Sequence, residues 1–414
     1  MGETRALRPE ERRTLALLGV PTGALALATT VVTSFLPVTA REVIGSSALT
    51  GVLIGIEGAM ALWVPLVVGS WSDRLRTPIG GRLPFLIAGT PLLAAALLAL
   101  ASAGALPLVA VAVAVFYLAY FVAYEPYRAL YPDLVDDEIA GRAQSTQSIW
   151  RGAGTGVALV GGGLLVAVGS GAPFVVAAAA TVVATAAFVP AAVRRRAADA
   201  QPRGAHASAR ELAGLLRTRG DLRAFLLANG LWEASLGALK TFVFLYVVVG
   251  LGRSEPFAAA VVGGVAVVAL VAAAVGGALG DRLGRQRLMR LALPLYGVGL
   301  LVPAFTHAPV AIGPLLLVVG FAGGLVMTLP YAILQPLMPD DRHGALTGLY
   351  SLSRGVGTAL GPLCAGVAVQ LLDGPFAGTR GYAAMWLVCG GAILLSIPPT
   401  LALRRRSDDG AAPP

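Results

Sequence analysis

Gly277-Ala-Leu-Gly280-Asp281-Arg282-Leu-Gly284-Arg285-Gln-Arg287 is a charged turn set between two long apolar runs. A related stretch stands in the other half: Gly69-Ser-Trp-Ser-Asp73-Arg74-Leu-Arg76-Thr-Pro-Ile-Gly80-Gly-Arg82-Leu-Pro84-Phe85. Asp281 follows Asp73 by 208 residues, about half of a 414-residue chain. Such a spacing predicts a six-helix unit that occurs twice, with this loop between the second and third helix of each copy. Two more echoes support it. Pro126-Tyr127-Arg128-Ala-Leu-Tyr131-Pro132 returns as Pro330-Tyr331-Ala-Ile-Leu-Gln335-Pro336, and Arg151-Gly-Ala-Gly-Thr155 returns as Arg354-Gly-Val-Gly-Thr358. Their offsets are 204 and 203 residues.

With 57% hydrophobic and 13% charged residues, the composition is that of a membrane protein. A spanning helix needs about 20 apolar residues. Twelve such runs are expected, near 14–38, 48–69, 84–104, 106–131, 143–169, 172–193, 223–249, 256–279, 288–306, 309–336, 344–372 and 379–403. The expected fold is therefore all-α, with twelve transmembrane helices in two pseudo-symmetric six-helix bundles. The first bundle takes residues 1–193 and the second 223–403, with a linker at 194–222 and a disordered tail at 404–414. Within the linker, Ala207–Leu216 reads either as a short helix on the membrane surface or as a flexible tether.

The net charge of +9 invites a nucleic-acid reading, but the placement of the charges argues against it. The arginines crowd the N-terminus, the even-numbered loops and the C-terminus, and only Arg41, Arg253 and Arg380 fall in the opposite loops. By the positive-inside bias both termini and the linker are cytoplasmic. Met1–Arg13 reads as a short basic lead rather than a cleavable signal. Cys364 and Cys389 lie inside expected helices, so neither a disulfide nor redox chemistry is indicated. No metal-ligand spacing, phosphate-binding glycine loop or enzyme constellation is present, and no cofactor is expected.

Ionisable groups within a bilayer cost a few kcal/mol each and mark functional sites. Glu125 and Arg128, three apart on the fourth helix, share a face with Tyr124 and can pair. Arg151 enters the fifth helix by about 12 Å at 1.5 Å per residue, with Trp150 beside it. A carboxylate near two guanidinium groups and aromatic rings suits a sugar, because planar forks bind vicinal hydroxyls or a carboxylate. The structural alternative is an Arg128 that snorkels to the cytoplasmic end. On the seventh helix, Asn229, Glu233 and Lys240 lie on one stripe near Trp232. Glu233 and Lys240, two turns apart at about 10.5 Å, are too distant to bond directly. Lys240 is the sole lysine, either facing a cavity or anchoring the helix end. Glu57, on an apolar stretch of the second helix, is a proton carrier or a hydrogen-bonded structural glutamate. Arg354, the counterpart of Arg151, needs an acidic partner, for which Glu233 is one candidate. Asp73 with Arg74 and Arg82, and Asp281 with Arg282 and Arg285, sit just after helix ends and read as a cytoplasmic gate or as topological anchors.

The Gly-x-x-x-Asp-Arg-x-Gly-Arg-x-Arg pattern at 277–287 resembles the signature of the major facilitator superfamily. The longer first loop, with Ser72-Asp73-Arg74, Gly80-Gly-Arg82 and Pro84-Phe85, is similar to the glycoside–pentoside–hexuronide cation symporters. Tyr127-Arg128-Ala-Leu-Tyr-Pro-Asp133-Leu134 looks most like the sucrose/proton symporter branch, a resemblance that implies a substrate role for Arg128. Glu125 and Arg151 match positions where the melibiose branch binds sugar. Two departures matter. A single Arg follows Gly81 where the family has two or three basic residues. Met60 and Val64 stand where the melibiose branch has sodium-binding Asp residues, which favours protons.

The resemblance implies a secondary transporter of the major facilitator fold that works by alternating access as proton-coupled symport of a sugar or glycoside. The expected substrate-binding set is Glu125, Arg128, Arg151, Trp150, Tyr127, Tyr124, Trp232, Lys240, Tyr331, Gln335 and Arg354. Glu57, Glu125 or Glu233 would carry the proton. The expected partners are a small molecule, protons and the lipid bilayer, with no nucleic acid, and the chain is expected as a monomer in a bacterial cytoplasmic membrane. Three rivals stay open: a proton-driven exporter of hydrophobic compounds, a non-transporting membrane sensor, and a lysolipid carrier of a related branch.

Overall fold

The computed structural model describes residues 8–102, 104–134, 140–194, 214, 216–306, 309–334 and 343–403. The sequence features in the linker before 214, at Gln335 and in the tail from 404 fall outside them. Twelve long helices follow one another: α1 (Pro9–Thr39), α2 (Ser47–Arg74), α3 (Leu83–Ala101), α4 (Leu106–Leu134), α5 (Ala140–Val168), α6 (Ala172–Arg194), α7 (Gly220–Leu245), α8 (Glu255–Leu283), α9 (Arg285–Phe305), α10 (Pro309–Leu334), α11 (His343–Leu371) and α12 (Met385–Leu395). A π-helical turn, Tyr246–Gly250, prolongs α7, and Ile397–Leu401 continues α12 past a break at Ser396. All twelve spans are long and apolar enough to cross a membrane. Helices suit that setting because each satisfies its own backbone hydrogen bonds. Large apolar side chains such as Leu164, Val183, Val267 and Leu317 lie exposed, as expected of surfaces that face hydrocarbon rather than water.

The helices outrun the apolar windows at the charged loops. α2 continues to Arg74 and α8 to Leu283, beyond the expected ends at 69 and 279. Asp73 and Asp281 therefore sit in a last helical turn and not after it. Hydropathy marks only the hydrocarbon-deep part of a helix, whereas a terminator decides where it stops. For α8 the terminator is Gly284, at φ 84°, which separates it from α9, while Gly80, at φ 90°, lies within the longer loop that follows α2. Positive φ is strained for residues with a Cβ. The extra residues of the first loop fold on themselves, with Thr77 Oγ1 bonded to the Gly80 carbonyl at 2.5 Å and the Gly80 N–H to the Thr77 carbonyl at 2.9 Å.

The sequence repeat is also a packing repeat. α1 packs on α5 and α6, and α3 on α4 and α6; six helices later α7 packs on α11 and α12, and α9 on α10 and α12. Glycines make the principal contacts possible. A Cβ on Gly154 would land on the Gly23 carbonyl, and one on Gly357 would land on the Gly230 carbonyl. Gly361 abuts the Ala234 backbone in the same way. Small residues of this kind let two membrane helices meet backbone to backbone. α7 and α12 are further tied by Ser235 Oγ, which donates to the Cys389 carbonyl at 2.9 Å.

By contacts the chain forms two compact units, Met1–Val43 with Trp63–Gly204, and Ile44–Leu62 with Ala205–Pro414. α2 is thus divided: its first half belongs to the second unit, where Gly51, Gly55 and Gly58 lie against the α11 backbone at Pro362, Ala359 and Gly355. This grouping follows helix contacts, whereas the division at 193 and 223 follows chain order.

Replacing Gly154 or Gly357 by Ala is expected to lower the thermal unfolding temperature of the detergent-purified protein, at a cost of about 1–3 kcal/mol from overpacking. Gly156→Ala, whose Cβ would meet nothing within 4 Å, is expected to leave it unchanged or raise it slightly through better helix propensity. Equal stability at 154 and 156 would contradict the close-contact account.

Candidate functional site

In the first unit, α4 carries a column of rings one helical turn apart. Phe116 and Tyr120 stack with centroids 6.4 Å apart, and Tyr120 and Tyr124 at 5.1 Å with only 13° between planes. The column ends in charge. Arg128, one further turn along, places its guanidinium 5.9 Å from the Tyr124 ring centre and pairs with Glu125 at 3.2 Å. From α5, Arg151 reaches the same tyrosine, 5.7 Å from the ring centre, and donates through Nη2 to the Tyr124 hydroxyl. Tyr124 is thus held between two guanidinium groups by cation–π attraction. Among the described residues Arg151 has no carboxylate partner, and its contact at this end of the column is the Tyr124 ring and hydroxyl.

Gln147, one turn before Arg151, was not singled out from the sequence. It is only 3% exposed, and its Nε2 has no hydrogen-bond partner among the described residues. A buried amide without a partner costs on the order of 1–3 kcal/mol, which marks Gln147 as a further candidate. The available signal was its position one turn before Arg151 on the same stripe of α5.

Not every expected residue joins this cluster. Tyr127 is fully buried between α1 and α6, where its hydroxyl donates to the Leu18 carbonyl, sits 2.8 Å from Thr22 Oγ1, and its ring meets Phe188 edge-on. Trp150 lies over Gly19 and Gly23 of α1, filling the space that side chains there would take. Both aromatics hold α1 in place. Trp232, 4% exposed, donates its indole N–H to Ser396 Oγ at 2.8 Å and packs edge-on against Phe225. Ser396 is the residue at the break in α12, so Trp232 braces that break.

In the second unit, Arg354 Nε donates to Glu233 Oε1 at 2.7 Å, and its guanidinium lies 5.8 Å from the Tyr350 ring centre. Asn229, on the Glu233 stripe, donates to Ser353 Oγ at 2.8 Å. Glu57 is half-buried on the part of α2 that belongs to this unit, and Lys240 is exposed on α7. Tyr331 and Asp281 stand on α10 and α8, but their side chains lie outside the described residues, as does Gln335 entirely.

The two arginines occupy equivalent places yet have unlike partners, and the cause lies one helix away. Each arginine is followed three residues later by the glycine that meets α1 or α7, at Gly23 or Gly230. Three residues beyond Gly230 stands Glu233; three beyond Gly23 stands Ala26. Arg354 finds a carboxylate, whereas Arg151 turns to a tyrosine.

At the α2–α3 loop, Asp73 meets Arg82 at 3.4 Å, with the Arg82 side chain only 9% exposed. A carboxylate at a helix C-terminus opposes the helix dipole, and the Arg82 charge offsets this. Arg74 and Arg282 are exposed, and Arg285 is half-buried at the start of α9.

The model of the Major Facilitator Superfamily matches residues 22–362 and 235–414. The chain belongs to that superfamily. A curated relative, the multidrug resistance protein MdtG of Klebsiella pneumoniae (strain 342), is 26% identical over 211 residues. That match takes in 50% of this chain and 49% of MdtG, so the chain spans about half the length of the relative it matches. Among solved structures, a bacterial homolog of the human lysosomal transporter Spinster, in an inward-facing and occupied conformation, superposes with a TM-score of 0.75. It shares 14% identity, over 99% of this chain and 100% of that one. The nucleoside transporter NupG gives 0.75 at 14% identity over 94% and 98%. At such identities the likeness is one of fold. The protein is a multi-pass membrane member of this superfamily.

Glu233→Gln and Arg354→Gln are each expected to destabilise the protein, and the double variant by less than their sum. Because Arg354 is 38% exposed, solvent screening holds the coupling near 1 kcal/mol. A double-mutant cycle of thermal unfolding measures it, and additive costs would deny the pair any energetic weight.

Proposed function

We propose that this superfamily member is a proton-coupled symporter of a sugar or glycoside, with Tyr124, Glu125, Arg128 and Arg151 as the substrate-binding cluster. The observation that supports it is an Arg151 guanidinium laid on Tyr124 with no carboxylate partner among the described residues, beside the Glu125–Arg128 pair. A planar fork with unspent donors can take two neighbouring hydroxyls, while Glu125 accepts from a third. The Phe116–Tyr120–Tyr124 column offers apolar faces against which a pyranose ring can stack. Glu233 is the favoured proton carrier. Neutralising it would release Arg354 from a 2.7 Å contact, and so tie protonation to a change in how α7 and α11 hold each other. Glu57 and Glu125 are the other carboxylates proposed for this role, and the Asp73–Arg82 and Asp281 loops are proposed to act in gating.

A second reading, export of a hydrophobic compound, is favoured by the resemblance to MdtG. The two readings separate in proteoliposomes. With symport, adding a disaccharide alkalinises the medium, and Arg151→Ala and Glu125→Gln each lower uptake at least about tenfold, the loss of one charge-assisted contact of roughly 1.5 kcal/mol. Glu233→Gln is expected to abolish sugar-driven proton movement while retaining sugar binding. No response across a broad sugar panel, with proton-driven dye movement intact, would transfer the assignment to export.

A further inference from the structure

In the second unit a groove of about 650 Å³ runs between α7, α11 and α12. It follows α7 from Arg223 to Ala234, about 16 Å, and α11 from Leu349 to Cys364, about 22 Å, at 1.5 Å per residue. One leaflet of hydrocarbon is about 15 Å deep, so the groove has the length of an acyl chain. Its walls are leucine, valine, alanine and glycine almost throughout. The Ser353 Oγ that lines it is already engaged: it accepts from Asn229 and donates to the Tyr350 carbonyl at 2.8 Å. On the α12 wall, a Cβ added to Gly391 would meet nothing within 4 Å, because the groove itself occupies that space.

One end differs. Arg223 is the only charged side chain among the described residues that line the groove, and it is exposed. Its neighbour Arg219 is already spent on Asp221, held through two hydrogen bonds at 2.9 and 2.7 Å. Arg217, also exposed, adds a second positive charge at the same end of α7. The groove therefore pairs an apolar trough with a cationic mouth and contains no carboxylate among its lining residues. That is the complement of a single amphiphile: a hydrocarbon chain and a negatively charged headgroup.

We infer that this groove is a binding site for an anionic phospholipid, one acyl chain lying between α7, α11 and α12 and the headgroup phosphate against Arg223. The site rests only on the second unit's geometry and on membrane residence, independent of which solute is carried. Because α7 and α11 also carry the Glu233–Arg354 pair, a chain seated there would stiffen the helices that hold it.

Native mass spectrometry of the full-length protein with phosphatidylglycerol and phosphatidylcholine tests the assignment. Wild type should retain one phosphatidylglycerol in preference to phosphatidylcholine. Arg223→Gln should weaken that retention about fivefold and narrow the headgroup preference, the contribution of one basic residue at an anionic surface. Gly391→Leu should remove retention by filling the trough, while Gly264→Leu, another position with open space around a Cβ, should leave it intact. Equal retention of both lipids with no effect of Arg223→Gln would overturn the headgroup assignment. Unchanged retention in Gly391→Leu would overturn the groove, and a concentration-dependent dimer lost in that variant would give the face to a second copy of the chain.

Discussion

One backbone-to-backbone contact organises each unit: Gly154 of α5 against Gly23 of α1 in the first, and Gly357 of α11 against Gly230 of α7 in the second. In hydrocarbon there is no hydrophobic force to press one apolar helix onto another, so close dispersion contact and buried polar bonds must supply the attraction. Glycine gives that contact its closest form. The arginine three residues before each glycine is thereby carried against the neighbouring helix, in a place where a charge is costly unless compensated. Packing and charge are consequently one problem in this fold.

The two halves solve it differently. In the second, Glu233 stands one turn beyond the contact and neutralises Arg354 at 2.7 Å. In the first, that place is Ala26, and Arg151 instead lies on the Tyr124 ring and donates to its hydroxyl. A pair can be switched by moving one proton; a cation on an aromatic face keeps hydrogen-bond donors for a guest. The duplicated scaffold thus presents a carboxylate–guanidinium pair and a guanidinium on an aromatic face at equivalent positions. This difference is the main support for the proposal that one cluster serves coupling and the other recognition.

The aromatic residues divide along similar lines. Phe116, Tyr120 and Tyr124 form an uninterrupted column along α4, whereas Tyr127 and Trp150 are consumed in holding α1. Tyr127 differs from Tyr124 by only three positions, yet the two hydroxyls meet different helices. Trp232 likewise serves the break in α12 through Ser396. Aromatic residues near an ionisable cluster are therefore not interchangeable, and their hydrogen-bond partners separate brace from platform.

The sequence alone determined the number of spans, the duplication and the members of the charged clusters. Each depends on local quantities: apolar run length, a repeat offset, and the turn-to-turn spacing that unites Glu125 with Arg128. It also named Glu233 as one candidate partner for Arg354, because a guanidinium within a membrane span requires one. Only tertiary structure decided that Arg151 belongs to Tyr124, that Tyr127, Trp150 and Trp232 are braces, that Gln147 Nε2 is buried without a hydrogen-bond partner among the described residues, and that the first half of α2 packs with α11. Helical periodicity states where on its own helix a side chain sits. Which neighbour it meets depends on how closely two helices approach, and here that distance is set by glycines far apart in the chain.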